Sequence, residues 1–308
     1  MIYTLTANPA IDYNITCDAL VPDAVTRTRD AVYTPNGKGL NVSFTLAHYG
    51  VASTILGFFA GFSGRYIVDG ARALGCAVEP VWIDGVTRVN VFLTSDSGEY
   101  KLVNAGAPVT AVDEARMLEL IGGLDDLALL VVSGSMPPGV SEGFLLAVIE
   151  RVQARGGEVV LDISSSQLAG LLAQRPLLIK PNDDELREIF GFAVTAGEDA
   201  AAAKALRELH RRGARYILLT LGSGGAYFGD GERLWYARAK TPVRVLSTAC
   251  AGDASLGAFL ARWLPGEDPE QALALSMATG ANVVECPGLG DFAKVDEYLR
   301  HVEVQRVR

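Results

Sequence analysis

Four consecutive apolar residues, Leu129-Leu-Val-Val132, decide the fold class, because a strand that is apolar on both faces needs helices on both sides of its sheet. Short aliphatic or β-branched runs of this kind recur along the chain, and helix-length amphipathic segments such as residues 141–154 lie between most of them. This alternation predicts a doubly wound α/β fold with a mainly parallel sheet. The predicted strands are residues 2–7, 53–60, 127–133, 158–163, 177–180, 216–221 and 243–246.

Two stretches break the alternation, residues 10–34 and 86–106. Polar and apolar side chains alternate there, as in Arg88-Val-Asn-Val-Phe-Leu-Thr94, around turn signals such as Asp96-Ser-Gly98. This pattern is typical of strands with one solvated face. We therefore expect a small β-sheet lid, inserted into one α/β domain of residues 1–308 and placed over a sheet edge or a cleft.

The composition excludes several classes of protein. Apolar residues make up 49% of the 308 residues, which is far more than a disordered chain contains. The formal net charge is −9 and no long basic run is present, which argues against nucleic acid or an anionic membrane as a partner. No apolar run reaches the roughly 18 residues of a membrane-spanning helix, and the first residues read as a strand rather than a signal peptide.

The four cysteines are far apart in sequence and lack the paired spacing of a metal site. A chain of this length has a core large enough to fold without disulfides. We expect free thiols and a cytoplasmic protein. The cysteines are Cys17, Cys76, Cys250 and Cys286.

Ligands of open α/β sheets bind at the carboxyl ends of the strands. Five predicted strand ends carry turn residues together with polar side chains, so the candidate functional residues lie at these ends. The segments that follow the five strands are residues 8–12, 133–139, 181–185, 222–225 and 247–253.

Asn36-Gly-Lys-Gly-Leu-Asn41 leads into a predicted helix. Its two glycines permit close approach of the backbone to a ligand, Lys38 supplies a mobile cation, and Asn41 offers both a donor and an acceptor. An ordinary glycine-rich helix start explains the same residues. The spacing is not that of a Walker A loop, which argues against a P-loop protein.

Three charged residues of the predicted lid are candidate ligand-binding residues. The carboxylate of Asp12 can accept hydrogen bonds from two sugar hydroxyls, although aspartate is also common in turns. Arg27 and Arg88 each adjoin a threonine, and with Lys38 they could form a phosphate clamp. Solvated surface arginines are the alternative.

Asn182-Asp-Asp-Glu185 opens a helix after Lys180 and Pro181. Asn182 and Glu185 are three residues apart, so they share one helical face and could hold a magnesium ion through its water ligands. A capping box, with Asn182 as the N-cap, explains the same pair without a metal.

Thr220-Leu-Gly-Ser-Gly-Gly225 lies between two apolar strands. Its glycine-rich backbone and its hydroxyl groups could bind nucleotide phosphates. The same residues could instead form an ordinary hairpin turn.

Ser247-Thr-Ala-Cys-Ala-Gly-Asp253 precedes an apolar helix. The loop N–H groups and the positive end of the helix dipole meet at one point, which favours a bound phosphate, and Asp253 lies at the same point. A capping aspartate is the alternative. Capping does not, however, require the small residues that precede Asp253.

Together and in this order, the motifs resemble those of the ribokinase-like (pfkB) carbohydrate kinases over nearly the whole chain. Residues 247–253 resemble the Gly-Ala-Gly-Asp signature of that family, and residues 36–41 resemble its Gly-Gly-Lys-Gly-x-Asn signature. Within the family, similarity to 1-phosphofructokinases and tagatose-6-phosphate kinases is carried by residues 6–12, 87–90, 133–139 and 180–182.

The resemblance implies a ribokinase-like fold, ATP and Mg²⁺ as cofactors, and a role for each matching residue. Asp253 would be the base that accepts the proton of the sugar hydroxyl, beside an anion hole formed by Cys250, Ala251 and Gly252. The sugar hydroxyls would be held by Asp12, Gly37 and Asn41, and the substrate phosphate by Arg27, Lys38, Arg88 and Ser135. The metal would be positioned, through water, by Asn182 and Glu185, and the nucleotide site would also contain Lys180, Thr220, Gly222, Gly225 and Asn282. The lid would provide a homodimer contact.

Four positions depart from the family pattern. Asn36 and Cys250 stand in this sequence at positions where the resemblance implies glycine. Phe44 and Phe92 stand where the sugar-phosphate kinases often carry arginine and lysine, respectively.

We expect an ATP-dependent kinase that converts fructose 1-phosphate to fructose 1,6-bisphosphate. The alternatives are a tagatose-6-phosphate or fructose-6-phosphate kinase, a kinase for an unphosphorylated sugar or nucleoside, and a non-catalytic protein that binds a sugar phosphate.

Overall fold

The apolar runs form the central strands of a ten-stranded sheet in the computed structural model, which describes residues 1–241, 243–264 and 268–308. The strands are β1 Ile2–Thr6, β2 Ala10–Thr16, β3 Arg29–Asn36, β4 Ser53–Ala60, β5 Ala77–Ile83, β6 Arg88–Ser95, β7 Gly98–Leu102, β8 Leu129–Ser133, β9 Glu158–Asp162, β10 Leu178–Ile179, β11 Tyr216–Thr220, β12 Ala226–Gly229, β13 Leu234–Ala239 and β14 Val302–Arg306. The helices are α1 Lys38–His48, α2 Gly61–Ala73, α3 Ala111–Gly122, α4 Phe144–Ala154, α5 Leu168–Leu171, α6 Asp183–Phe190, α7 Asp199–Arg212, α8 Ala251–Trp263, α9 Pro269–Val283 and α10 Val295–Leu299.

The main sheet has the strand order β14-β13-β12-β11-β10-β9-β8-β1-β4-β5. Strands β1, β4, β5, β8, β9, β10 and β11 are parallel, and β12, β13 and β14 continue the sheet in antiparallel fashion. The predicted mainly parallel α/β sheet is therefore confirmed.

Side chains of β8 alternate between two cores, as the apolar run Leu129–Val132 predicted. Leu130 and Val132 belong to one buried cluster, together with residues of α3, α4 and α7. Leu129 and Val131 belong to a second cluster, together with residues of α1, α8 and α9. Both faces of the sheet are thus covered by helices.

The two alternating stretches supply the strands of a separate four-stranded sheet with the order β3-β2-β6-β7. Its two inner strands, β2 and β6, run parallel, and the outer strands pair with them in antiparallel fashion. The β2–β3 segment follows β1 and the β6–β7 segment follows β5 along the chain. We refer to this sheet as the lid.

The predicted strand at residues 243–246 is wrong. Val243–Leu246 is irregular, and the N–H of Leu246 donates to the carbonyl of Val284, 2.7 Å away, beyond the end of α9. Strand β14 pairs with β13 at the edge of the sheet, so the C-terminal residues take the place that a strand at 243–246 could have filled. Among the described residues, no helix has the length and apolar character needed to cross a membrane.

Candidate active site

Helix α8 begins without a side-chain cap. Its N-cap is Cys250, whose backbone is left-handed with φ 64°. Among the described residues, the N–H groups of Ala251, Gly252 and Asp253 have no hydrogen-bond acceptor, because the first bond of the helix runs from Ala254 to the carbonyl of Cys250. An uncapped helix start with three unused donors can bind an anion.

Asp253 lies in the first turn of α8 and is buried. Its Oδ2 accepts a hydrogen bond from Nδ2 of Asn41 at 2.8 Å, while Oδ1 has no partner among the described residues. Burial, together with the negative charge of Asp162, raises the pKa of Asp253 to about 6. The group is therefore mostly ionised at neutral pH but is a stronger base than an exposed aspartate, as a general base requires.

Two lysines meet at the buried carboxylate of Asp162, which ends β9. Nζ of Lys180 is 2.9 Å from Asp162 Oδ1, and Nζ of Lys38 is 3.9 Å from the same atom. Burial opposes ionisation of Asp162, but the two ammonium groups outweigh it and lower its pKa. A Cβ atom on Gly252 would lie 3.6 Å from Lys180 Nζ, so this cation faces the start of α8.

Asp12, on the lid strand β2, is buried and accepts two side-chain hydrogen bonds. Asn90 Nδ2 donates to its Oδ1 at 2.9 Å, and Asn36 Nδ2 donates to its Oδ2 at 2.6 Å. Burial raises the pKa of Asp12, against the opposing effects of these two amides and of Arg88.

Gly37 is the N-cap of α1 and has φ 148°. A Cβ atom there would lie 2.5 Å from Cγ2 of Thr6, so the helix carrying Lys38 and Asn41 can pack this closely on β1 only with glycine at this position.

The three other predicted phosphate-binding residues have different environments. Arg88 is half-buried and donates to the carbonyls of Asn8, at 2.9 Å, and Asn104, at 3.2 Å, while its Nε is buried without a partner among the described residues. Ser135 is exposed in the loop after β8, next to Gly134, where an added Cβ atom would lie 3.5 Å from Cβ of Lys38. Arg27 is exposed in the loop between β2 and β3, and it has no ion pair or hydrogen bond within the described part of the chain. The structure therefore does not bring Arg27 into contact with the other site residues.

Asn182 and Glu185 form the capping box of α6. Asn182 Oδ1 accepts from the N–H of Glu185 at 2.7 Å, and Glu185 Oε2 accepts from the N–H of Asn182 at 3.0 Å. The remaining oxygen of Glu185 accepts a hydrogen bond from Ser164. Each carboxylate oxygen keeps a free lone pair, so the capping role and contact with metal-bound water are compatible.

Thr220 ends β11 and forms a parallel bridge with Asn182, so these two predicted nucleotide-site residues are adjacent. The glycine-rich segment that follows is a hairpin turn between β11 and β12, closed by the N–H of Leu221 donating to the carbonyl of Gly225 at 2.8 Å. Gly222 and Gly225 both have positive φ. The segment is therefore a hairpin turn, and this turn lies at the carboxyl end of β11.

Asn282 is buried in α9, where its Oδ1 accepts from the N–H of Lys294 at 2.7 Å. Its Nδ2 contacts the sulfur of Cys286 at 3.7 Å. These contacts tie Asn282 to the C-terminal segment, and it forms no hydrogen bond with the other predicted site residues in the described part of the chain.

Sequence reasoning missed three polar residues that contact the predicted site: Asp162, Asn36 and Asn90. Asp162 is the last residue of an apolar strand, and the rule that ligands bind at strand ends would have indicated it. Asn36 and Asn90 could not be found this way, because only the pairing of β2 with β3 and β6 in the lid brings them to Asp12.

A model described as pfkB family carbohydrate kinase matches residues 5–295. The chain is 46% identical over 304 residues to a D-tagatose-1-phosphate kinase of Klebsiella oxytoca, with 99% of each chain covered. It is 36% identical over 313 residues to a 1-phosphofructokinase of Haloferax volcanii, with 100% of this chain and 99% of the relative covered.

The fold is also similar to that of a solved kinase. The structure of Escherichia coli phosphofructokinase-2 in complex with fructose-6-phosphate has a TM-score of 0.86 and 28% identity, covering 97% of this chain and 99% of the other. The family match spans the strand ends, the lid and the start of α8. The chain therefore belongs to the pfkB family of carbohydrate kinases, and it is a phosphotransferase that acts on a hydroxyl group.

Proposed function

We propose that the protein transfers the γ-phosphoryl group of ATP to the 6-hydroxyl of a ketohexose 1-phosphate. The observation that carries this proposal is the start of α8, where a buried aspartate with a pKa of about 6 adjoins unused backbone N–H groups and the ammonium of Lys180. Phosphoryl transfer through a loose transition state needs mainly positioning and charge stabilisation, which these groups can supply.

Asp253 acts as the base in this proposal. Its Oδ1 accepts the proton of the sugar hydroxyl, while the hydrogen bond from Asn41 to Oδ2 holds the carboxylate plane. The N–H groups of Ala251 and Gly252 then stabilise the charge on the transferred phosphoryl group. Cys250 adds no charge there. Burial is the main cause that raises the pKa of its thiol to about 12.

The lid and α1 bind the sugar phosphate. One network of hydrogen bonds through Asn36 connects Asp12, Gly37 and Asn41. These three residues are assigned to the sugar hydroxyls. Lys38 is assigned to the phosphate, because the charges of Asp162 and Asp253 raise its pKa and keep it cationic. Arg88 can contribute its unpartnered Nε, and Ser135 can contribute its hydroxyl from the loop after β8. Arg27 lies at the opposite end of the β2–β3 hairpin, and its assignment to the phosphate rests on the family resemblance alone.

The nucleotide is assigned to the carboxyl ends of β10 and β11. Lys180, Asn182 and Thr220 lie side by side there, and Glu185, Gly222 and Gly225 follow in the adjoining turns. Asn282 is assigned to the adenine of the nucleotide. Magnesium would be bound as part of the Mg-ATP substrate, and it would neutralise phosphate charge there. Asn182 and Glu185 fit a magnesium ion through its water ligands, because the capping box leaves a free lone pair on each oxygen of Glu185.

A homodimer through the lid is part of the proposal. The four-stranded sheet exposes large apolar side chains that a second copy could cover. They include Val32, Tyr33, Tyr100 and Leu102, with exposed fractions of 50, 51, 39 and 57%. Four free thiols are consistent with the reducing cytoplasm as the location.

The relatives suggest two epimeric substrates. Fructose 1-phosphate is the substrate expected from the sequence, and a relative 36% identical is a 1-phosphofructokinase. A relative 46% identical is a D-tagatose-1-phosphate kinase, and this identity favours D-tagatose 1-phosphate, the C4 epimer.

A substrate panel tests the proposal. ADP release is measured with the 1-phosphates and 6-phosphates of D-tagatose and D-fructose, and with free sugars and nucleosides. We expect the highest kcat/KM with a ketohexose 1-phosphate. Preference for a 6-phosphate or an unphosphorylated compound would overturn the substrate assignment, and ligand-induced thermal stabilisation without any ADP release would indicate a binding protein.

A further inference from the structure

The side chain of Asn36 has all four of its hydrogen-bonding positions occupied. Its amide nitrogen donates to Asp12 Oδ2 at 2.6 Å and to the sulfur of Cys250 at 3.4 Å. Its amide oxygen accepts from the N–H of Gly37 at 2.5 Å and from Asn41 Nδ2 at 3.0 Å. A primary amide has two donors and two acceptor sites, so Asn36 has none left for a ligand.

This arrangement fixes the two side chains assigned to the sugar. The amide nitrogen of Asn41 donates both to Asn36 and to Asp253, which leaves the Asn41 oxygen as its free acceptor. Each oxygen of Asp12 accepts one amide donor, from Asn90 or Asn36, which leaves one acceptor site on each oxygen. Asp12 therefore presents two adjacent acceptors in a fixed plane.

We propose that Asn36 is a positioning residue that sets the preference for the configuration at C4 of the sugar, by holding the carboxylate of Asp12 in one orientation. This inference rests on the proposed function. Two acceptors fixed side by side suit two neighbouring hydroxyls on the same face of a furanose ring. The 3- and 4-hydroxyls are cis in D-tagatose 1-phosphate and trans in D-fructose 1-phosphate. A carboxylate that could rotate would accept both epimers more equally.

The test compares kcat and KM for the two epimers in wild type, Asn36→Gly and Asn36→Ala. We expect wild type to prefer D-tagatose 1-phosphate. In both variants the ratio of kcat/KM values, tagatose over fructose, should fall about tenfold, the value of one hydrogen bond to a charged group. Most of the change should be in the KM of the tagatose compound. Asn104→Ala is the matched control, because this exposed asparagine, which follows β7, bonds through its side chain to the carbonyl of Val89 and does not contact Asp12.

Each outcome decides the matter. If wild type phosphorylates a ketohexose 1-phosphate but the ratio is unchanged in the variants, only the role of Asn36 is overturned. An equal loss with both epimers would show a structural role without selectivity, and it would also overturn the inference. Thermal unfolding of each variant identifies loss of fold. If wild type phosphorylates neither epimer, the proposed function and this inference both fail.

Discussion

Asn41 and Asp253 are joined by a hydrogen bond of 2.8 Å, although they are 212 residues apart in the chain. Asn41 lies on α1 and Asp253 on α8, and these two helices pack against each other on the same face of the main sheet. The bond fixes the orientation of the buried Asp253 carboxylate. Without it, this carboxylate would have no hydrogen-bond partner among the described residues.

Replacing Asp253 by asparagine should remove activity and increase stability. The amide cannot accept the hydroxyl proton, so kcat should fall by at least about 10²-fold. The raised pKa means that ionisation of this carboxylate opposes folding from about pH 4 upward, and the full cost, on the order of 3 kcal/mol, is reached above pH 6. Thermal unfolding should therefore show a higher Tm for Asp253→Asn, with a larger difference at pH 8 than at pH 5. Asp69→Asn, on the exposed face of α2, is the control, and full activity of Asp253→Asn would remove the assignment of the base.

The pH dependence of kcat/KM should show an acid limb near pH 6. Asp253 must be ionised to accept a proton, and its pKa is about 6. The rate should fall about tenfold for each pH unit below this value. Initial rates between pH 4.5 and 8, with the stability of the enzyme checked at each pH, measure the limb. A limb near pH 4 would mean that the group acting as base is not the buried Asp253.

Asp162→Asn should lower stability and shift the acid limb. The substitution leaves Lys180 and Lys38 without their buried counter-ion, at a cost of about 3 kcal/mol in the free energy of unfolding. It also removes the negative charge that raises the pKa of Asp253, so the limb should move to lower pH. Urea denaturation and the pH profile are the two measurements. A limb shifted to higher pH would contradict this account of the charges.

Cys250→Gly should stabilise the protein by about 1 kcal/mol, because a left-handed backbone is strained in any residue with a Cβ atom. Cys250→Ala keeps the Cβ atom and removes only the sulfur, so it should show no such gain. Turnover should change little in either variant, since the Cys250 thiol is uncharged at neutral pH. A large rise in kcat for the glycine variant alone would show instead that the cysteine distorts the anion hole.

Glu185→Gln should increase the Mg²⁺ concentration needed for half-maximal activity by about tenfold, the typical effect of losing an outer-shell ligand partner. The glutamine oxygen can still accept from the N–H of Asn182, so the cap and the Tm should be largely kept. Asp184→Asn, an exposed substitution in the same helical turn, should leave the Mg²⁺ requirement unchanged. Equal effects of the two substitutions on the Mg²⁺ requirement would indicate a change in the structure of α6 and not the loss of a contact with metal-bound water.

The pattern of apolar residues predicted the central part of the fold. The position of polar residues at strand ends indicated most of the candidate site residues. The apolar runs predicted β1, β4, β8, β9, β10 and β11, because strands buried on both faces have few alternatives. Strand β5 was missed because Glu79 and Pro80 interrupt its apolar pattern. The strand predicted at 243–246 failed because strand propensity does not reveal that β14 already occupies the edge.

Site residues on single strand ends were easier to predict than contacts between elements. Asp253 and Lys38 stand out from glycine-rich or small-residue contexts in the sequence. The role of Asn36 is not visible there, because it depends on Asp12, Asn41 and Cys250 meeting from three elements. Long-range contacts of this kind are determined by tertiary packing.

The division between the two sheets has a consequence for how new substrate preferences could arise. Asp12 and Asn90 lie on the lid, whereas Asp253 and Lys180 belong to the main sheet and its helices. Under the proposed function, lid substitutions that spare Asn36 can therefore alter which sugar is admitted while the phosphoryl-transfer groups stay intact. A fold built in this way can acquire a new substrate preference through changes in two short insertions, with little effect on its core.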